Sequence, residues 1–548
     1  MSGAARVDSD DKLPTVIDAI CLGVITILSA LPYVPRLGFY SDDWAILAGF
    51  VAEPHPSLLA LIAENFASRP VQGIYLKFLF DAFGLDPLGY HIVNTAVLGA
   101  CASLLYLLLA RLRVGRTEAF AATLLFVMLP QLSTVRVWYS AFQIPLSMAM
   151  MLVSMQCQLS FSLSRKVGWL VAAVVSAVLS IGAYEIFTPL IVGFAAALLF
   201  GERRNFTKTN GALAAAVILG VVGLAVAYKL FFSSGRVGSV TDPERYVRGL
   251  HQFFRLDYDW RVDSSMNVIA TPSAYFWEPM RGWWIGAQSL VGGRSSFLVM
   301  GVAVLIATLA FWRLSGRPDS NTPSTPRRLL LLGIAAFLLG NATFLIVPSV
   351  VFTSTGIGNR VQVAAAIGVA MIFAALFADA ANAFPQRLRT IAHCAIVVIV
   401  TGAAFVRLSA IEAYWAEAPA LQERVLDAAK VDLKSIPGNS TVILDGVCPY
   451  HGPAMVFEAW DVGGALSIAL QRPIEGDARS DRTSPTRLGI ATSIYNQPAL
   501  YPYGPRLFVY NPSQHLLLAL ADPAAAARYF GTHPLRRCPG FVARGVEV

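Results

Sequence analysis

Apolar runs about as long as a bilayer is thick recur along this chain, and no other feature restricts its fold as severely. A helix needs about 20 apolar residues to cross a hydrocarbon core roughly 30 Å thick. About eleven runs meet or approach that length, near Thr15–Pro35, Pro87–Leu109, Ala119–Leu132, Ala141–Leu163, Val167–Ala183, Phe187–Phe200, Gly211–Phe232, Ser296–Trp312, Leu329–Val350, Val361–Ala383 and Ile391–Leu408. The third and sixth are short for a full crossing. Only 14% of the 548 residues are charged and 56% are hydrophobic, against about 25% charged in soluble domains. Such a chain cannot clothe a globule of its size in polar side chains. The predicted fold is an all-α polytopic membrane protein. The first run lacks a small-residue cleavage site, so it reads as an anchor that stays in place.

Orientation follows from where Lys and Arg gather in the short loops. One set of loops carries Arg111, Arg113 and Arg116, then Arg165 and Lys166, then Arg203, Arg204 and Lys208. It continues with Arg313, Arg317, Arg327 and Arg328, and ends with Arg387 and Arg389. The opposite loops hold isolated cations such as Arg136 and Arg360. The net charge of +8 is therefore a topology signal and makes no case for nucleic acid. A cytoplasmic N-terminus and an odd number of spans put the C-terminus outside.

Three outer pieces are large: 36–86, 233–294 and the tail 411–548. The division expected is a transmembrane domain over 1–410, with its chemistry in the outer loop 36–86, and an extracytoplasmic domain over 411–548. In the tail Pro, Gly, Asp and Asn rise, and β-like runs (Ser440–Leu444, Ala454–Phe457, Arg506–Tyr510) alternate with helix-like ones (Ala418–Leu433, Pro523–Phe530). That alternation predicts a small α/β domain. Cys21, Cys101, Cys157 and Cys394 fall within spans, where a thiol acts as a small hydrophobe. Cys448 and Cys538 are the only tail cysteines and would face an oxidising compartment, so a disulfide between them is expected. No Cys/His metal spacing occurs.

The first outer loop concentrates the reactive residues. Gly38-Phe39-Tyr40-Ser41-Asp42-Asp43-Trp44 follows directly on a span end. Adjacent carboxylates in apolar surroundings repel, which raises at least one pKa and suits a general base or a cation site. The same residues also read as a helix start, with Ser41 as the N-cap and both acids favoured by the helix dipole. Beyond them come an amphipathic stretch, Ser57–Phe66, then Arg69-Pro70, Tyr75 and Lys77, then Pro87-Leu88-Gly89-Tyr90-His91 and Asn94.

The order Asp-Asp, Arg-Pro, Pro-x-Gly-Tyr-His-x-x-Asn resembles the GT-C glycosyltransferases, in particular the tetratricopeptide-bearing and the protein O-mannosyltransferases. Pro130, Val135, Trp138-Tyr139-Ser140, Tyr184-Glu185 and Arg360 extend the resemblance over roughly residues 10–410. Bacterial O-antigen glucosyltransferases share the general plan. The resemblance implies about eleven spans, a polyprenyl-phosphate sugar as donor, a glycan, lipid or protein hydroxyl as acceptor, and inversion at the anomeric carbon. It implies an enzyme of the inner membrane acting in cell-envelope glycan or glycoconjugate synthesis, moving a hexosyl or pentosyl group. By the same resemblance Asp42 is the base and Asp43 orients it or the acceptor. Arg69, Lys77 and Arg360 would meet the donor phosphate, with His91, Tyr184 and Glu185 as secondary candidates. A divalent cation between the acids and the donor stays open.

Each residue has a plainer alternative. His91 could cap its span, Arg69 or Lys77 could snorkel to headgroups, and Phe253, Phe254, Tyr258, Trp260, Phe276, Trp277, Trp283 and Trp284 could form an interfacial belt instead of a sugar platform. A lipid-linked sugar flippase would line several spans with polar groups. These spans are mostly Ala, Leu, Val and Gly, and their charges cluster at one face. An O-antigen polymerase or ligase is the other rival.

Overall fold

The computed structural model describes residues 12–54, 56–200, 208–232, 273–292, 296–315, 326–346, 353, 355–494, 497–536 and 538. Each of the eleven apolar runs coincides with a helix. The membrane part comprises α1 (Lys12–Ala30), α5 (Pro87–Arg111), α6 (Arg116–Met128), α7 (Ser133–Val137), α8 (Gln143–Ser164), α9 (Val167–Ala183), α10 (Thr188–Phe200) and α11 (Lys208–Phe232). It continues with α12 (Glu278–Val291), α13 (Phe297–Leu314), α14 (Pro326–Ile346), α15 (Val363–Ala381) and α16 (Arg389–Asp432). Between α1 and α5 lie α2 (Asp42–Ala52), α3 (Leu58–Asn65) and α4 (Pro70–Phe83).

Among the described residues eight helices are long and apolar enough to cross a membrane, or nine if one bent pair counts as a span. The chain is a multi-pass membrane protein. The bent pair is the third run, broken by 55° between Met128 and Pro130. Pro130 has no N–H to continue the ladder, which is why the break falls there. The fifth run joins the sixth as a shorter apolar helix, because Tyr184 is extended (φ −158°, ψ 134°) and interrupts the chain between them. Ala-rich α15 lies at the centre, nearly all of it buried.

The segment 233–294 lies largely outside the described residues, and Phe253, Phe254, Tyr258 and Trp260 with it. Of the remaining aromatics, Phe276 and Trp283 pack on Phe373, whereas Trp277 and Trp284 are exposed. Half of that group is therefore core, which neither a belt nor a sugar platform requires.

The tail is a small α/β unit. Its strands are β1 (Ser440–Leu444), β2 (Tyr450–His451), β3 (Ala454–Met455), β4 (Ile474–Ala478), β5 (Ser484–Pro485), β6 (Gly489–Ile494), β7 (Gln497–Pro502), β8 (Leu507–Asn511) and β9 (Leu516–Ala519). The main sheet has the order β4-β1-β8-β9, with β1 parallel to both neighbours and β9 antiparallel to β8. Helices α17 (Val462–Leu470) and α18 (Pro523–Thr532) complete it. Cys448 and Cys538 form a disulfide with Cα atoms 5.5 Å apart. Residue 410 falls inside α16, which leaves the membrane part and enters the tail without a break. One helix thus ties the two together.

Candidate active site

Residues Gly38–Tyr40 run extended from the end of α1 across α16, and the sequence of α16 prepares their seat. Pro419 lacks an N–H, so the Trp415 carbonyl one turn earlier loses its helical donor. The Tyr40 hydroxyl donates to that carbonyl at 2.6 Å. Gly38 lies flat on the proline ring: a Cβ there would stand 2.7 Å from Pro419 Cγ. His91 Nε2 donates to the Gly38 carbonyl at 3.0 Å, and Trp138 Nε1 donates to the Tyr40 carbonyl at 2.8 Å. Asn94 holds the neighbouring turn through the carbonyls of Val135 and Arg136. The motif residues are therefore chiefly braces. They fix the backbone on which the acids stand.

Ser41 then turns the chain at φ 52°, ψ −130°, a conformation that costs a non-glycine residue about 1–3 kcal/mol. Its side chain does not cap α2; its Oγ accepts from Trp460 Nε1 in the tail, at 3.1 Å. Asp42 and Asp43 form the first turn of α2, as the helix-start reading expects, but they are not alike. Asp43 is fully buried, and its Oδ2 accepts from Tyr40 N at 2.8 Å. Its Oδ1 accepts from Ser140 N at 2.8 Å and from the Ser140 hydroxyl. Burial pushes its carboxyl up to about 7 against the lowering effect of those hydrogen bonds, with Asp42 adding to the rise. Asp42 is only half-buried. Of the two acids it is the one partly exposed to solvent.

The cation candidates divide. Arg69 makes a two-pronged contact with Glu185, through Nε at 3.0 Å and through Nη2. Its guanidinium lies 4.3 Å from the Tyr184 ring centroid. Lys229, near the end of α11, donates to the same Glu185 at 2.7 Å. Two cations on one carboxylate leave a net positive charge, with all three side chains partly exposed. Lys229 was not among the residues expected from sequence; a lone lysine in the last turn of an apolar helix was its only signal. Arg360 stacks on Trp138 at 4.7 Å, the same indole that holds Tyr40. Lys77 pairs with Asp81 one turn along α4 and faces the rings of Phe50 and Phe80.

The tail contributes residues that sequence reasoning missed. Helix α17 lies against α2 so closely that a Cβ on Gly464 would meet the Trp44 carbonyl oxygen at 2.5 Å. Asp461, just before α17, is fully buried; Oδ1 accepts from Glu458 N at 2.9 Å, and Oδ2 has no partner. Burial and the negative charges of Glu458, Asp42 and Asp43 hold its carboxyl well above the ordinary range. The usable signal was Trp460-Asp461 ahead of Gly463-Gly464, an aromatic and an acid beside residues that permit close approach. Among the described residues no three His, Cys, Asp or Glu side chains are placed to hold a metal ion. Asp43 Oδ1 already accepts from Ser140 N and the Ser140 hydroxyl, and its Oδ2 from Tyr40 N.

No protein-family profile and no curated protein matches the chain. Among solved structures it is similar to ArnT from Cupriavidus metallidurans bound to undecaprenyl phosphate, at 14% identity and a TM-score of 0.42, over 86% of this chain and 87% of that one. It is also similar to the archaeal oligosaccharyltransferase AglB from Archaeoglobus fulgidus in complex with an inhibitory peptide and a dolichol-phosphate. There the identity is 12% and the TM-score 0.42, over 86% of this chain and 65% of AglB. At such identities and TM-scores the functional reading rests on the site itself.

Proposed function

We propose that this protein is a GT-C-type glycosyltransferase of the inner membrane. In this reading it moves a hexosyl or pentosyl group from a polyprenyl-phosphate donor to a hydroxyl of a glycan, lipid or protein acceptor. The N-terminus is cytoplasmic, and the acid site and C-terminal domain face outward. The observation that carries the reading is the division of labour at the head of α2: Asp43 is locked by Tyr40 and Ser140, and Asp42 beside it stays accessible. Asp42 takes the proton of the acceptor hydroxyl as its oxygen attacks the anomeric carbon. The bond from that carbon to the phosphate oxygen breaks in the same step, so the configuration inverts and polyprenyl phosphate departs with the electron pair. Arg69 and Lys229, preset by Glu185, and Arg360 supply the positive charge that the leaving phosphate needs, arginine doing so with two parallel donors.

The buried charges of the bundle support chemistry at one face over passage through it. Arg136 and Glu412 pair with each other, and Asp18 pairs with Arg116 and Arg313. Each of these pairs joins separate helices of the bundle. The test is to supply the purified protein, in lipid nanodiscs, with a panel of radiolabelled polyprenyl-phosphate sugars and to follow release of polyprenyl phosphate. Consumption of at least one donor is expected. If none is consumed while the protein in vesicles carries intact lipid-linked sugar across the bilayer, the transferase reading falls.

A further inference from the structure

The head of α2 faces a third carboxyl that the proposed reaction does not use. Asp461 arrives from the opposite end of the sequence on the turn before α17. Two contacts fix it there, Trp460 donating to Ser41 and Gly464 lying on the Trp44 carbonyl, and Asp461 itself is sealed from solvent. Its Oδ2 has no donor, although a buried ionised carboxylate ordinarily collects several. The charges acting on it are Glu458 from its own turn and Asp42 and Asp43 from α2. On the other side of α17, β4 carries Glu475, which accepts from Thr441, and Asp477, whose carboxyl feels Glu458. From α16, Glu417 is paired with His451. A carboxyl sealed from water and acted on by three other carboxyls is costly to ionise.

We propose that the C-terminal domain docks on the Asp42–Asp43 head of α2 as a proton-coupled latch, with Asp461 carrying the proton that docking requires. An undocked Asp461 is an ordinary solvated carboxyl; docking buries it among like charges. The docked state therefore binds the proton more tightly. Its advantage is complete below about pH 4, where a free aspartate is protonated anyway, and is lost as pH rises through the higher pKa of the docked group. Between those limits the docking equilibrium weakens by up to about tenfold per pH unit.

Hydrogen exchange of the α17 amides in the nanodisc-embedded protein, corrected for intrinsic exchange, reads this directly and needs no substrate. Protection should fall with rising pH between 5 and 9. Asp461→Asn, which keeps the shape and cannot ionise, should stay protected with no slope. Trp460→Phe, which removes the Ser41 bond, should lower protection by the same factor at every pH and keep the slope. In infrared spectra of 13C-aspartate-labelled protein at pH 6, a protonated-carboxyl band should be present in the wild type and reduced in Asp461→Asn. A slope that survives in Asp461→Asn, a wild-type protection that is flat with pH, or an unchanged carboxyl band would each overturn the latch. Because no donor or acceptor enters the experiment, its failure would leave the transferase reading standing.

Discussion

The two ends of the helical bundle treat buried carboxylates in opposite ways. At the end near the start of α1, Asp18 is fully buried yet richly served: Arg116 and Arg313 both bind it, and the Tyr106 hydroxyl donates to it at 2.8 Å. The cations of the basic loops converge there, so a topology signal doubles as a clamp between α1, α6 and α13. At the other end Asp43 and Asp461 are as deeply buried, but they meet hydroxyls, backbone N–H groups and other acids. The comparison shows what burial alone does not decide. A carboxylate given two guanidiniums is mortar, whereas one given another carboxylate is poised to exchange a proton.

The sharpest test of that contrast is Asp42→Asn. It keeps the shape at the head of α2 and removes the base, so turnover should drop by roughly 10²–10⁴ with the fold intact; full activity in a single-turnover assay would make the pair a helix cap. Asp18→Asn should do the reverse. It leaves the partly buried Arg116 and Arg313 without their carboxylate, and thermal unfolding should show a loss of up to about 3 kcal/mol. Breaking the Cys448–Cys538 bridge with Cys448→Ser should cost the tail about 2–5 kcal/mol, and a non-reduced digest of the wild type should yield the linked peptides by mass spectrometry. Arg69→Ala should weaken donor use by about 10- to 100-fold, the worth of a charged hydrogen bond. Arg69→Lys should recover only part, because the fork is lost. Wild-type donor kinetics in Arg69→Ala would return that residue to a purely structural pairing with Glu185.

The smallest effect is a pH profile. Burial pushes the Asp43 carboxyl up to about 7, so its ionisation there adds a negative charge beside the proposed reaction centre. Turnover should therefore rise through pH 7 by a modest factor, and Asp43→Asn should flatten that rise. Stability runs the other way. A carboxyl pushed up on folding contributes most below about pH 4 and loses that contribution as pH climbs through 7. Parallel pH trends in activity and unfolding would contradict this assignment.

Local pattern made much of the molecule legible. Helix positions followed from apolar runs, because a membrane helix must carry its apolar residues in one uninterrupted stretch. The strand at Ser440–Leu444 and the helices at Leu58–Asn65 and Pro523–Thr532 lay where short-range pattern set them. Asp42, Asp43, Arg69 and Glu185 were visible as charges beside span ends. Less legible were partners: Lys229 on Glu185, Glu412 on Arg136, and Tyr40 on a carbonyl left open by Pro419. In each case the two halves lie far apart in the chain, and no local period records the meeting.

The sequence by itself determined that this chain lives in a bilayer, where its helices fall and which loop gathers acids and cations. Those properties depend on residues within a few turns of one another. Only the tertiary structure decided which aspartate is fully buried and which stays partly exposed, and that the tail's Trp460 and Asp461 pack over the first loop. Such outcomes depend on what burial removes from water and on which distant donor replaces it. Both are properties of packing, and packing is settled when the long helix α16 brings the tail back over the head of α2.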